Sequence, residues 1–213
     1  MEAVAQVLKR FENVSLCQIV DALGSSNEFE SEIKPIDPDF RTYGPAVTVF
    51  CPSDDNLTLH HALQLAKPGE VLVVFGGGHC GAALWGELMS TSARSRGLAG
   101  TIVDGAVRDM LELQAIGYSV FARTIVPRRA TKEKYGSIGT PIRCGKLQVN
   151  SGDIIFADAN GIVAIPPDKL EQTLCLAVEF AKKESDIKRQ VCAGRSIFEI
   201  LDLRIKVPEG KQD

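Results

Sequence analysis

No stretch of this chain comes near the ~20 consecutive apolar residues that a membrane-crossing helix needs, so a transmembrane helix is not expected. Charge of one sign is not in excess either. Lys and Arg number 24 against 27 Asp and Glu, a formal net charge of -3, which gives no electrostatic case for nucleic acid or an anionic membrane as partner. Cysteine is present but never paired. The six thiols, at 17, 51, 80, 144, 175 and 192, form no CxxC and no zinc-ligand spacing, so neither a disulfide framework nor a structural zinc is indicated, and reduced thiols in a cytoplasmic setting are the simpler expectation. The opening MEAVAQVLKRFENV carries charge where a secretory leader would need an apolar core, and no internal repeat or low-complexity tract follows it.

What is present suits one domain with a sizeable core: 213 residues, 45% of them apolar and 24% charged, an ordinary globular balance. The organising stretch runs from Val71 to Arg128. Val71 to Phe75 is a continuous apolar and β-branched run closed by Gly76, Gly77 and Gly78, as expected of a strand buried on both faces. From about Leu84 to Arg96 the period becomes helical, with Gly97 as its stop. A second strand, Thr101 to Val103, ends at Asp104-Gly105. A second helix, from about Val107 to Ile116, stops at Gly117, and Tyr118 to Ile125 reads as a third strand. This βαβαβ pattern makes the three strands neighbours in one parallel sheet.

On either side the signals are local. Val4, Val7, Leu8 and Phe11 give a first amphipathic helix, and Ser15 with Gln18 forms a capping box for a second that Gly24 closes. Ser25 to Phe40 reads as a surface loop and Gly44 to Cys51 as a strand. Asp54 or Asp55 can cap a helix reaching Ala66, and Pro68-Gly69 turns the chain back. Beyond Arg128 short β-like runs (TPIRC, KLQV, DIIFAD, IVAIP) are separated by Gly145, Ser151-Gly152 and the hairpin signal Asn160-Gly161, which suggests a second sheet packed on the first. Pro167 opens a helix that runs to Gly194, long enough that part of it is expected to contact a neighbouring subunit. The fold class is therefore α/β: a central βαβαβ unit, a β-rich C-terminal portion, and helices at both ends.

The chemistry concentrates where two strands of the central unit give way to helices. In open α/β sheets ligands bind beyond the carboxyl ends of the strands, where helix N-termini present free N–H groups. Glu87 sits just inside the first helix, and Arg108-Asp109 opens the second. Asp109 alone is explained by the helix macrodipole. Arg108 is not, because a cation at the positive end of a helix breaks a local rule, and a guanidinium there matches a bound carboxylate bidentately. A carboxylate edge with few other ligands suits Mg²⁺ or Mn²⁺ that keeps its waters.

The rival motif is Gly76-Gly77-Gly78-His79-Cys80-Gly81, a GxGxxG match after a strand, with Asp104 placed as a ribose-binding acid. It would make the protein an NAD(P)-binding oxidoreductase. Glycines that merely let the chain turn read the same way. His60 and His61 are expected in core or surface roles, Trp85 in the core, and Lys182 to Asp186 on a solvated face. A lone His79 is a weak signal.

GELMSTSARSRGLAGTIVDGAVRD, in which an acid is followed after twenty residues by Arg-Asp, with Glu112 three beyond, resembles the class II 4-hydroxy-4-methyl-2-oxoglutarate aldolases and the related regulator-of-ribonuclease-E-activity proteins. SLCQIVDALG near the start and SGDIIFADANGIVAIP near the end are weaker matches, and together they span nearly the whole chain. The resemblance implies a layered β/β/α fold over a single domain, 1–213, assembled as a homotrimer or a dimer of trimers with sites near subunit interfaces. It implies a divalent-metal-dependent lyase that cleaves 4-hydroxy-4-methyl-2-oxoglutarate-type 2-oxo acids to pyruvate and decarboxylates oxaloacetate. Asp109 would anchor the Mg²⁺ or Mn²⁺, and Arg108 would bind the pyruvyl end. The backbone around Gly86, Glu87, Leu88 and Met89 would hold the same substrate. Glu87 would stand where the family has an acid near the metal-bound waters, in a place where characterised relatives tend to carry Asp. The alternative from the same resemblance is a non-catalytic regulator that binds an RNA-processing enzyme.

Overall fold

Residues 14–24, 28–29, 32–144 and 147–203 are described by a computed structural model, and they form one mixed sheet with helices against it. The expected helix over Val4 to Phe11 and the turn at Gly145 lie outside those residues. The central unit is β3 (Val71–Phe75), β5 (Gly100–Val107) and β6 (Val120–Ile125), linked by helices α3 (Glu87–Ser95) and α4 (Met110–Ile116). β3 pairs parallel with β5, Val73 opposite Ile102, and β5 pairs parallel with β6, Ile102 opposite Phe121. Val71 to Val74 are fully buried, which is why this strand reads as a continuous apolar run. Each such side chain contributes about 1.5–3 kcal/mol by leaving water.

Two boundaries differ from the sequence reading, and both matter for the site. The segment expected to start a helix at Leu84 first makes a short strand, β4 (Ala83–Trp85), which pairs with the far end of β5. β5 in turn does not stop at Val103 but runs on to Val107, buried throughout. Its last residues keep neighbours on both sides, β4 and β6, so the ladder continues through Asp104-Gly105 and α4 begins only at Met110. An apolar triplet such as Ala-Leu-Trp fits a strand or a buried helix turn equally well, so its period could not decide between them.

The sheet extends through β2 (Thr42–Phe50), parallel to β3 and also paired antiparallel with the short β7 (Ser137–Ile138), to β10 (Ile154–Asp158) and β11 (Gly161–Ile165), both antiparallel to their neighbours. The β-rich C-terminal portion therefore joins the central sheet instead of forming a second one. Only β8 (Ile142–Cys144) and β9 (Leu147–Val149) pair apart from it among the described residues. β10 and β11 are covered on both faces: Ile155, Ala157, Ile162 and Ala164 join the main core, while Ile154, Phe156, Val163 and Ile165 pack under two helices. These helices are α1 (Leu16–Leu23) and the N-terminal part of α5 (Leu170–Cys192). The hairpin turn falls one residue earlier than expected, at Ala159-Asn160, since Asp158 pairs with Gly161.

α1 carries the capping box read from sequence, with Gln18 N–H donating to Ser15 Oγ and Ser15 N–H to Gln18 Oε1, and Gly24 closes it in a left-handed conformation. The stretch expected as a surface loop is partly core: Ile33, Ile36 and Phe40 are buried, and β1 (Lys34–Pro35) pairs with β6. Glu28 bridges Val163 on the opposite edge, so one segment reaches both edge strands and nearly closes the sheet into a barrel. In α5 burial ends at Ala177, with Ala181 partly covered, and Lys182 to Asp186 are exposed, the solvated face that their charge suggested. No helix among the described residues is long and apolar enough to cross a membrane.

Candidate active site

The site is built where β4 and β5 end side by side. Arg108 N–H donates to Trp85 O at 3.0 Å, which fixes the exit of β5 against the exit of β4. Trp85 is itself immobilised, its indole stacked on Tyr118 and its Nε1–H given to Ser90 Oγ at 2.6 Å, so it belongs to the core as expected. The next residue, Gly86, caps α3 with extended backbone. A Cβ there would lie 2.6 Å from Asp109 Oδ2 and 3.0 Å from Arg108 Cγ, so any larger residue would displace the side chains through which the two junctions meet.

Asp109 Oδ2 accepts the N–H of Glu87 at 3.1 Å and stands 3.3 Å from Arg108 Nε. It therefore caps α3 across the sheet while sitting at the N-cap position of its own helix, α4. Its backbone is left-handed, φ 62° and ψ 48°, a region that costs a non-glycine residue about 1 kcal/mol or more. The N–H groups of Leu88 and Met89, in the first turn of α3, make no hydrogen bond among the described residues. Beside the guanidinium of Arg108, they are placed to receive an anion.

These groups line a cavity of about 200 Å³ whose far wall comes from elsewhere in the chain. Asn56 and His60 arrive from the start of α2 (Leu57–Leu65), and Arg129, Ala130 and Lys132 from the segment after β6. That segment is pinned. Ala83 N–H donates to Arg128 O, Ala130 N–H to Ala83 O, Thr131 N–H to Asp54 O, and Asn56 N–H to Thr131 O. The wholly buried carboxylate of Asp55 completes the clamp, its Oδ2 accepting from Thr131 Oγ1 and from Glu133 and Lys134 N–H, its Oδ1 from Leu57 N–H. Burial alone would raise the Asp55 pKa, but these bonds outweigh it and bring it down to about 2. Asp55 thus serves the loop beside the cavity, and the N-cap of α2 is Asn56, without a side-chain cap bond. For His60, burial and then the charge of Lys132 lower the imidazole pKa, leaving it neutral near pH 7.

The structure brings Gly86, Glu87, Leu88, Met89, Arg108 and Asp109 together in the lining of this one cavity. Asn56, His60, Arg129 and Lys132 were not expected there. The one sequence sign was the Arg128-Arg129 pair just beyond the last strand of the central unit, and it says nothing about direction. His61 lies outside the cavity and bonds Tyr135. The dinucleotide reading is not supported by this geometry. The glycine loop after β3 leads into strand β4 and not into a helix, so no helix N-terminus faces a pyrophosphate. Asp104, the supposed ribose acid, is buried in an ion pair with Arg123. The cavity is also smaller than the ~300–1,000 Å³ typical of drug-sized ligands.

As a metal site the donors are sparse. Among the described residues no three His, Cys, Asp or Glu side chains converge. Among the described residues nothing bonds Asp109 Oδ1, and Glu87 is exposed beside it. One or two carboxylate oxygens suit a hard cation that keeps most of its waters, and they do not suit zinc or a tightly caged calcium.

A nearly closed mixed sheet with helices against it, and a small cavity carrying charged side chains at the carboxyl ends of its parallel strands, defines the class. Within it, this chain belongs to the RraA-like family, described as Aldolase/RraA, which it matches over residues 16–164. It is 34% identical over 185 residues to a protein of Halalkalibacterium halodurans named "Putative 4-hydroxy-4-methyl-2-oxoglutarate aldolase", with 87% of each chain covered. Its fold is similar to that of an uncharacterized protein from Pseudomonas syringae, at a TM-score of 0.83 and 22% identity, covering 92% of this chain and 96% of that one. It is also similar to the RNA-processing inhibitor RraA from Thermus thermophilis, at a TM-score of 0.67 and 28% identity, covering 71% and 92%.

Proposed function

We propose that this protein is a carbon–carbon lyase of 2-oxo acids, cleaving 4-hydroxy-4-methyl-2-oxoglutarate-type substrates to pyruvate and decarboxylating oxaloacetate. The observation that carries this reading is the juxtaposition of the Arg108 guanidinium with the unbonded N–H groups of Leu88 and Met89 in one small cavity. It is a seat for a carboxylate with a carbonyl beside it. The aldolase name of the Halalkalibacterium halodurans relative supports the same chemistry.

In this reading the substrate carboxylate lies on the first turn of α3, and Arg108 reaches the 2-oxo oxygen. Glu87, at the mouth of the cavity, takes the proton of the 4-hydroxyl, directly or through one water. The C3–C4 bond breaks, its electron pair moves into the C2–C3 bond, and charge gathers on the 2-oxo oxygen. Arg108 stabilises that charge more than it stabilises the neutral ketone. Asp109 holds the guanidinium in place from 3.3 Å. Protonation of the enolate at C3 gives pyruvate. Oxaloacetate reaches the same enolate by losing CO₂ and needs no base at Glu87. Asp109, through Oδ1, would hold a Mg²⁺ or Mn²⁺ ion, whose contribution when bound is Lewis-acid polarisation of the 2-oxo group. Assembly as a homotrimer or a dimer of trimers belongs to the same proposal.

The test is release of pyruvate from oxaloacetate and from 4-hydroxy-4-methyl-2-oxoglutarate, with Mg²⁺ or Mn²⁺ and then with EDTA. Turnover that EDTA abolishes and metal restores is expected. No turnover under either condition would favour the second reading, a protein-binding regulator of an RNA-processing enzyme. That reading has the similarity to the Thermus RraA structure behind it.

A further inference from the structure

We propose that residues 1–13 dock on the outer half of α5 and on the short helix that follows it, so that the two ends of the chain make one lobe with its own apolar seam. The proposal is independent of the chemistry at the strand ends. The family match covers residues 16–164, and both partners of this contact lie beyond it.

Three observations support it. First, the arm carries an apolar surface that no described residue covers. α5 leaves the body after Ala181, the chain turns at Gly194 with φ 89°, and α6 (Ile197–Ile200) follows. Val191, Ile197, Phe198 and Leu201 are between 38% and 55% exposed there. A helix of 4 residues is far too short to hold itself in water, and large apolar side chains grouped on its surface mark a contact face. Second, the chain before α1 is released beside the root of this arm. Arg41 Nη2 donates to Val14 O at 2.7 Å, and Gln18 Nε2 donates to Glu184 Oε2 at 2.6 Å, so the backbone entering α1 stands next to the point where α5 loses its cover. Third, the segment has the matching pattern and length. Val4, Val7, Leu8 and Phe11 fall on one side of a helical period. Val4 to Phe11 and Glu184 to Val191 are equal intervals, each about 10 Å of helix. At the other terminus, residues 204–213 offer only Ile205 and Val207 ahead of Pro208, too little for the same surface.

Amide hydrogen exchange, read by mass spectrometry on the full chain, tests the contact from both sides. Leu8→Asp/Phe11→Asp should speed exchange across residues 187–201 by at least ~10-fold, about the loss of one buried apolar side chain, and leave β10 and β11 within about threefold. Phe198→Asp/Leu201→Asp should do the same to residues 4–11. Combining the two pairs should add little, because either one already breaks the contact. Should the aspartates also loosen β10 and β11, Leu8→Ala/Phe11→Ala makes the same comparison with less disturbance. Exchange in residues 187–201 that neither segment variant changes, or that is unprotected in the wild type, would overturn the docking. Protection of residues 187–201 that grows with protein concentration would also overturn it, in favour of a second copy as the cover.

Discussion

Asp109 Oδ2 accepts the backbone N–H of Glu87 at 3.1 Å, across 22 residues of sequence, and Gly86 is what permits the approach. Gly86→Ala would put a methyl group 2.6 Å from that oxygen. The carboxylate and Arg108 must shift, at a cost of about 1–3 kcal/mol in stability. Pyruvate release from oxaloacetate should fall by ~10- to 100-fold, because a displacement of about 1 Å suffices for that. Chemical denaturation and steady-state kinetics check the two halves; a variant that melts lower but turns over normally would disconnect Gly86 from catalysis.

Arg108 and Glu87 should separate by reaction. Arg108→Ala is expected to lower both retro-aldol cleavage and decarboxylation by at least ~10²-fold, as for the loss of an oxyanion donor. Arg108→Lys should recover little, since an ammonium cannot reproduce the planar fork. Glu87→Gln should depress cleavage of the 4-hydroxy acid well below decarboxylation of oxaloacetate. Equal losses of the two activities would remove Glu87 from proton transfer.

The left-handed backbone of Asp109 yields a stability difference that activity does not track. At φ 62° an alanine carries the full steric cost and a glycine carries none. Asp109→Gly should therefore be more stable than Asp109→Ala by about 1 kcal/mol, with both inactive. Urea unfolding of the two variants gives the comparison, and identical midpoints would contradict the strained geometry.

Asp55 makes the cavity loop sensitive to acid. Its folded pKa, about 2, lies below the ordinary value of 3.8, so the unfolded chain binds the proton more readily and stability drops as pH falls. The Asp55 contribution is fully present above about pH 4 and is lost as pH falls through about 2. Asp55→Asn should be less stable than wild type at pH 7 by about 1–3 kcal/mol, and the gap should narrow between pH 4 and pH 2. Guanidinium unfolding at a series of pH values measures it; a gap constant down to pH 2 would mean that Asp55 is not the ionised clamp.

The amino-acid order alone determined the parallel arrangement of β3, β5 and β6, because buried apolar runs alternating with capped helical segments leave few other topologies. It determined the capping box of α1 for the same local reason: Ser15 and Gln18 need only each other. It also placed Arg108, Asp109 and Glu87 at helix starts on one sheet edge, since strand ends and helix starts follow from short-range signals. Tertiary structure decided the rest. Ala83 to Trp85 became a strand because β5 offered it an open ladder, and the β-rich C-terminal runs joined the central sheet because β2 offered an edge. Arg129 and Lys132 meet Asn56 and His60 at the cavity because the segment after β6 is bonded to Asp54, Asp55 and Ala83, residues distant in sequence, and the sequence around Arg129 and Lys132 carries no trace of that. A local pattern records how a segment is built, whereas the meeting of two distant segments depends on which backbone groups the finished sheet leaves unpaired.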